Sequence, residues 1–286
     1  MSTAKGSTEV SPKVWWIIGG TLVILLLIWQ GVRVEREIHA TGAAPKPLLE
    51  KGERKIQVFA GAASKPALEE VAQLYEQQYG TKVECTFGGS GTMLSQMLLA
   101  QRGDVYVPGS DDFMDKAEQK GVVEKGRREI VAYLLPVIAV QKGNPQNIQS
   151  LEDLARPGLR VGIARPEAVC LGDIALEIFE QAGLREKIEP NIVTQATSCS
   201  HTAALVKMRQ VDAVIGWDVF AAWYPEDIEM VPLPSELRHW RYIPAAVTKF
   251  AREEREAQRF VDFLCSQTGK GIFQRHGYTV VAPGRE

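Results

Sequence analysis

Two strand-to-helix turns made of glycine, alanine and serine constrain this chain more than anything else in it. Val83-Glu84-Cys85-Thr86-Phe87 alternates as a strand does, Gly88-Gly89-Ser90-Gly91 follows, and Met93 to Ala100 has the spacing of an amphipathic helix. Upstream, Ile56 to Ala60 reads as a strand and Gly61-Ala62-Ala63-Ser64-Lys65 as a turn. Pro66 then opens a helix, where its missing N–H costs nothing. Such turns leave the first N–H groups of the helix unpaired, and glycine lets the backbone close on whatever they face. The guest that suits them is an anion. The plainer reading makes Ser64 and Ser90 ordinary N-caps, and on these residues alone both readings stand. If the two strands lie parallel in one sheet, both serines fall along its carboxyl edge, where open α/β sheets bind ligands.

The chain has 286 residues, 45% of them hydrophobic and 24% charged, with a formal net charge of -2. That bounds a globular protein of one or two domains with an ample core, and no basic excess points to nucleic acid. A chain of this size does not need a disulfide framework, so the four cysteines are not read as one.

Residues 1–13 form a short polar tail, and residues 14–32 then run without a charge, with Trp15, Trp16 and Trp29 near the ends. The run is long enough to span a bilayer and carries aromatic residues where an interfacial belt belongs, which predicts one transmembrane signal-anchor. A cleaved signal peptide competes, with small residues from Ala40 to Ala44 as its cleavage site. The apolar core exceeds a usual signal core, however, and that site lies well beyond Arg33, Glu35, Arg36 and Glu37. Lys5 and Lys13 before the span balance Arg33 and Arg36 after it, so charge does not set the orientation. Residues 33–54, with Ala44-Pro45-Lys46-Pro47 at the centre, read as a tether.

From Lys55 the pattern of strand, turn and helix repeats. Asp104 to Pro108 is a third strand, followed by Gly109-Ser110 and a helix from Asp111 to about Lys120, with Ser110 as a candidate cap. Three such units imply a parallel sheet with right-handed crossovers. Ile130 to Gln141 is apolar but interrupted by Pro136, which predicts an edge or crossover strand. A second α/β unit follows: strands at 160–164, 191–194 and 213–217, with helices at 172–182 and 201–208. After Arg238 come one more strand and helices over 253–264 and 270–276, which can complete the first lobe.

The order of these pieces resembles the molybdate-binding proteins of ABC importers, within the type II periplasmic solute-binding proteins. The resemblance rests on Val58-Phe59-Ala60-Gly61-Ala62-Ala63-Ser64, Phe87-Gly88-Gly89-Ser90-Gly91, Gly103-Asp104-Val105-Tyr106-Val107 and Phe113-Met114-Asp115-Lys116. Further on it includes Pro166-Glu167-Ala168-Val169 with Gly172, Val211 to Trp217, and Ile272 to Tyr278. It covers about residues 55–283, and the ordered set is more specific than any one motif. It implies an α/β, two-lobed fold with two crossover strands, lobe I being 55–134 with 235–286 and lobe II 135–234. A bare tetrahedral oxyanion, molybdate or tungstate, would lie between the lobes with no cofactor, metal or balancing cation. By resemblance, Ser64 and Ser90 are the binding serines, and backbone amides around Cys170, Leu171 and Cys199 come from the second lobe. Trp217 stands where the family has a tyrosine. An indole N–H donates one hydrogen bond and accepts none, so donation to an oxyanion survives while the shape of the pocket changes.

The same resemblance brings Cys170 and Cys199 to the cleft, with three readings: a disulfide pinning two ligand loops, two buried thiols, or a metal or nucleophilic site. No Cys-x-x-Cys accompanies the last. Cys85 and Cys265 read as core, His201 as a helix-start residue, and Lys65 and Arg165 as cations able to steer an anion. The function implied is a membrane-tethered, monomeric binding subunit on the extracytoplasmic side, working with an ABC permease and ATPase. Sulfate or phosphate as ligand, or a membrane-bound anion sensor, are the alternatives. No Ser-His-Asp, Walker or zinc-hydrolase motif supports an enzyme.

Overall fold

A computed structural model describes residues 54–284. The expected membrane anchor at 14–32 and nearly all of the expected tether at 33–54 lie outside them. Among the described residues no helix is long and apolar enough to cross a membrane.

The first sheet starts from the two turns. β1 (Lys55–Gly61) is followed by a 3-10 turn (Ala62–Ser64) and α1 (Lys65–Tyr79), then β2 (Lys82–Gly88), α2 (Ser90–Ala100), β3 (Val105–Val107) and α3 (Asp111–Gln119). β1 pairs in parallel with both β2 and β3, so the two turns emerge side by side at one edge. β4 (Glu129–Leu134) and β10 (Arg241–Val247) complete the order β2-β1-β3-β10-β4, with β10 antiparallel to β3 and β4.

The second sheet has the order β7-β6-β8-β5-β9. Its strands are β5 (Pro136–Gln141), β6 (Val161–Ala164), β7 (Ile192–Ala196), β8 (Ala213–Trp217) and β9 (Ile228–Val231). Between them lie α4 (Cys170–Gln181), the short α5 (Arg185–Ile188), α6 (Cys199–Lys207) and α7 (Val219–Trp223). β5, β6 and β8 are buried along their whole length, which explains their unbroken apolar runs. α8 (Glu254–Cys265) and α9 (Gln267–Arg275) return to the first sheet. There Phe260 of α8 meets Tyr75 of α1 edge to face at 5.1 Å.

The expected single strand over 130–141 is two strands. Pro136 marks the point where the chain leaves the first sheet for the second. β4 does lie at an edge, but β5 is flanked by β8 and β9. Proline is tolerated in this interior strand because it is the first residue. The chain returns to the first sheet between β9 and β10, giving an α/β fold of two lobes.

Candidate functional site

Several helix N-termini converge where the two sheets face each other, and the sequence puts small residues there because larger ones would not fit. A methyl group added at Gly61 would stand 2.5 Å from Gly109 N and 2.9 Å from Ser90 Oγ. One added at Gly109 would stand 3.1 Å from both Ala63 Cβ and Cys170 Sγ, and 3.5 Å from Ser90 Oγ. Glycine is used here for close approach, not for an unusual φ.

Neither serine is the cap that sequence predicts. Ser64 holds the N-cap position of α1 but makes no side-chain cap bond; its hydroxyl donates to Gly61 O at 3.0 Å. Gly89, not Ser90, occupies the N-cap of α2. Ser90 is the first helical residue, nearly fully buried, and its Oγ accepts the Gly109 N–H at 2.9 Å. The Ser90 hydroxyl proton therefore remains free to donate. Ser110 likewise makes no backbone cap bond, and its hydroxyl turns to the Asp112 carboxylate.

Two tyrosines brace these turns. Tyr278 donates to Ala63 O at 2.6 Å and Tyr106 to Ser90 O at 2.8 Å. Burial pushes both phenols well above their ordinary pKa, so both remain donors at neutral pH. From the second lobe, Ser200 of α6 donates to Ala62 O at 3.2 Å.

The second-lobe residues expected in the site also gather here. Cys170 and Leu171 open α4 and Cys199 opens α6, all three buried. The first amides of a helix have no intrahelical acceptor, so both helices aim free N–H groups and positive dipole ends at this region. Cys170 and Cys199 are free thiols. The crosslink raised from sequence is not formed, and the two thiols are neighbours. Together with burial, that contact drives the Cys199 thiol well above its ordinary pKa. A thiol held protonated in this way is a poor nucleophile and a poor metal ligand. No acidic, histidine and cysteine grouping able to hold a metal occurs among the described residues.

Trp217 ends β8, fully buried. Its Nε1 leans toward the Cys199 sulfur, yet no protein acceptor among the described residues reaches it in hydrogen-bonding geometry. A buried N–H without a partner costs roughly 1–3 kcal/mol. Next to it, Asp218 Oδ1 accepts the N–H groups of Val219 at 3.1 Å and Leu135 at 3.2 Å, and burial raises its carboxyl to about 6.

Ser64, Ser90, Cys170, Leu171, Cys199 and Trp217 thus lie in one region lined by hydroxyl, indole and amide donors. Of the other residues singled out in the sequence, Lys65 pairs with Glu69 at 3.8 Å, and Arg165 is exposed with no ion pair among the described residues. His201 packs its ring against Thr197, and His276 contacts Glu70 at 2.7 Å. Sequence reasoning missed Gly61 and Gly109 as packing requirements, as well as Tyr278 and Ser200. The Pro108-Gly109-Ser110 turn was visible, but the neighbour that makes its glycine necessary is remote in sequence.

A model of bacterial extracellular solute-binding proteins matches residues 56–279. The molybdate-binding protein ModA of Mycobacterium tuberculosis is 26% identical over 229 residues, covering 80% of this chain and 85% of that protein. Among solved structures, the periplasmic molybdate-binding protein of Azotobacter vinelandii aligns with a TM-score of 0.68 at 19% identity, covering 80% of this chain and 99% of that one. The sulfate-binding protein SubI of Mycobacterium tuberculosis aligns with a TM-score of 0.71 at 17% identity, covering 80% and 88%. With the family match spanning most of its length, this chain belongs to the bacterial extracellular solute-binding proteins, a family of binding proteins and not of enzymes.

Proposed function

We propose that this chain binds a bare tetrahedral oxyanion, molybdate or tungstate, between its two lobes. The observation that carries the reading is the buried, unpartnered Trp217 Nε1 in a region where helix N-termini and the free Ser90 proton also converge. Ser90, Trp217 and the amides at Cys170, Leu171 and Cys199 supply the hydrogen bonds, and Ser64 joins them by turning its hydroxyl from Gly61 O to the anion. The first lobe comprises 55–134 and 235–286, and the second 135–234. All of these groups donate, which suits an anion with no proton left to give. Hydrogen phosphate brings a proton that needs an acceptor, and an unmet donor in a buried site is penalised. Fixed dipoles hold the charge without a cation. Residues 14–32 tether the monomeric binding unit to the extracytoplasmic face of the membrane, where it delivers its anion to an ABC permease and ATPase.

The test is calorimetric titration of the full chain in detergent, stripped of copurified ligand, with molybdate, tungstate, sulfate and phosphate. Tight binding of the first two with weak binding of the others is expected. Ser90→Ala should weaken tungstate binding by about 1–3 kcal/mol, the loss of one hydrogen bond to a charged group. Binding of none of the four, or an unchanged affinity in Ser90→Ala, removes the site as described.

A further inference from the structure

Two ion pairs reach from α4 to the first lobe. Asp173 and Glu177 lie one helical turn apart and so share one face. Each is held by a cation of the first lobe. Lys116 Nζ of α3 stands 3.3 Å from Asp173 Oδ2, and Arg241 Nη2 of β10 stands 2.8 Å from Glu177 Oε2. Every other ion pair among the described residues joins groups within a single lobe, apart from Arg54 at the end of the tether, which pairs with Glu256 of the first lobe.

Asp173 also works through the backbone. Its Oδ1 accepts the Glu167 N–H at 2.7 Å, fixing a loop in which Glu167 takes a φ of 65°. Left-handed backbone is uncommon for a residue with a side chain and needs support from its surroundings. The loop turns Ala168 O onto the first turn of α2, where it accepts the N–H groups of Gly91 at 3.0 Å and Thr92 at 3.4 Å. Lys116 is itself placed by Asp112 at 3.8 Å and by the Phe113 ring, 3.9 Å from its Nζ. One carboxylate thus couples a cation of the first lobe to a carbonyl that caps a first-lobe helix.

We propose that Asp173 and Glu177 are positioning residues that form a closure latch, drawing the lobes together and seating Ala168 O on α2. By holding the cleft shut, they set how long a bound anion stays. The latch occupies the Gly91 and Thr92 amides and leaves the Ser90 hydroxyl, the second-lobe amides and Trp217 for the ligand. The link to retention rests on the reading that the anion lies between the lobes; closure itself does not. All four side chains are partly exposed, so each pair is weak and screened by salt. Such pairs bias closure without locking it.

Hydrogen–deuterium exchange of the full chain in detergent, without added anion, tests closure directly. First-turn amides of a helix have no intrahelical acceptor, so protection of Gly91 and Thr92 reports the Ala168 contact. Asp173→Asn keeps an acceptor for Glu167 but loses the charge, and should speed exchange of the peptide carrying these amides roughly threefold, as should Glu177→Arg. Adding Arg241→Glu to Glu177→Arg should restore the wild-type rate. Exchange in the β1 peptide should stay constant, which shows that the fold is intact. The tungstate dissociation rate, followed by tryptophan fluorescence, should rise in the same variants and recover in the charge swap. Unchanged exchange at Gly91 and Thr92 in both single variants overturns the latch, even if tungstate binds. Faster exchange that the swap reverses supports the latch, even if no anion binds and the ligand reading falls.

Discussion

Asp218 shows how a residue beside the site can affect the whole molecule. Its amide donates to Leu135 O at 3.0 Å and its Oδ1 accepts the Leu135 N–H at 3.2 Å. It therefore grips the residue where the chain passes between the sheets. Burial raises its carboxyl from 3.8 to about 6. Between those values the folded protein binds the Asp218 proton more tightly than the unfolded chain does. This group's contribution is thus most favourable below about 4 and falls as pH rises to about 6. The full span is about 3 kcal/mol, at 1.36 kcal/mol per pKa unit. Glu70 has the opposite sign: its hydrogen bonds to His276 and Arg275 lower its pKa, so its contribution is lost as pH falls through that lowered value. Urea unfolding of wild type and Asp218→Asn from pH 4 to 8 separates the two. The wild-type stability minus that of the variant should decline with rising pH and level off above about 6. A difference that does not change with pH would show that Asp218 is not buried as described.

At the scale of elements, the site depends on how closely its turns approach one another. Gly61 has φ -64° and ψ 133°, which any residue can adopt, so the constraint on it is space. Gly61→Ala must push the β1 turn away from Gly109 and Ser90, at a cost of about 1–3 kcal/mol for overpacking. Because the Ser90 hydroxyl moves with that contact, tungstate affinity should fall as well. Gly271 is the control: it lies in α9 with nothing within 4 Å of an added methyl group, so Gly271→Ala should leave binding unchanged and stabilise by up to about 1 kcal/mol. Calorimetry and thermal melts of the two variants decide the matter, and equal behaviour would remove the packing argument. Much of this architecture was legible in sequence, because strand and helix periods alternate clearly and the glycine-serine turns punctuate them. The serine roles were not. Whether Ser90 caps its own helix or accepts from Gly109 depends on a third strand that propensity does not place. The change of sheet at Pro136 was legible in part: the proline marked a crossover and the family resemblance put the lobe boundary at 134/135, but two short apolar strands read as one. Asp173 and Glu177 looked like ordinary acidic helix residues, since their partners are about 60 positions away in sequence.

For the molecule as a whole, the two sheets are linked by covalent crossings at Leu135 and between β9 and β10, so the relation of the lobes rests on contacts across the cleft. A ligand gripped by both lobes should therefore act as a third link. The formal charge of -2 offers a dianion no general attraction, which leaves oriented dipoles and hydrogen bonds to retain it. A ligand that binds the folded state alone stabilises it by RT ln(1 + [L]/Kd), about 2.7 kcal/mol at a hundredfold excess over Kd. For a folded unit of this size, each kcal/mol raises the melting temperature by roughly 2–4 °C. Tungstate at that excess should accordingly raise the melting temperature by about 5–10 °C. Sulfate at the same concentration and ionic strength should raise it far less, and Ser90→Ala should shrink the tungstate shift. Equal shifts with sulfate and tungstate would mark a general anion site in which Trp217 sets no preference. No shift with either would mean that the converging donors serve the packing of the two lobes alone.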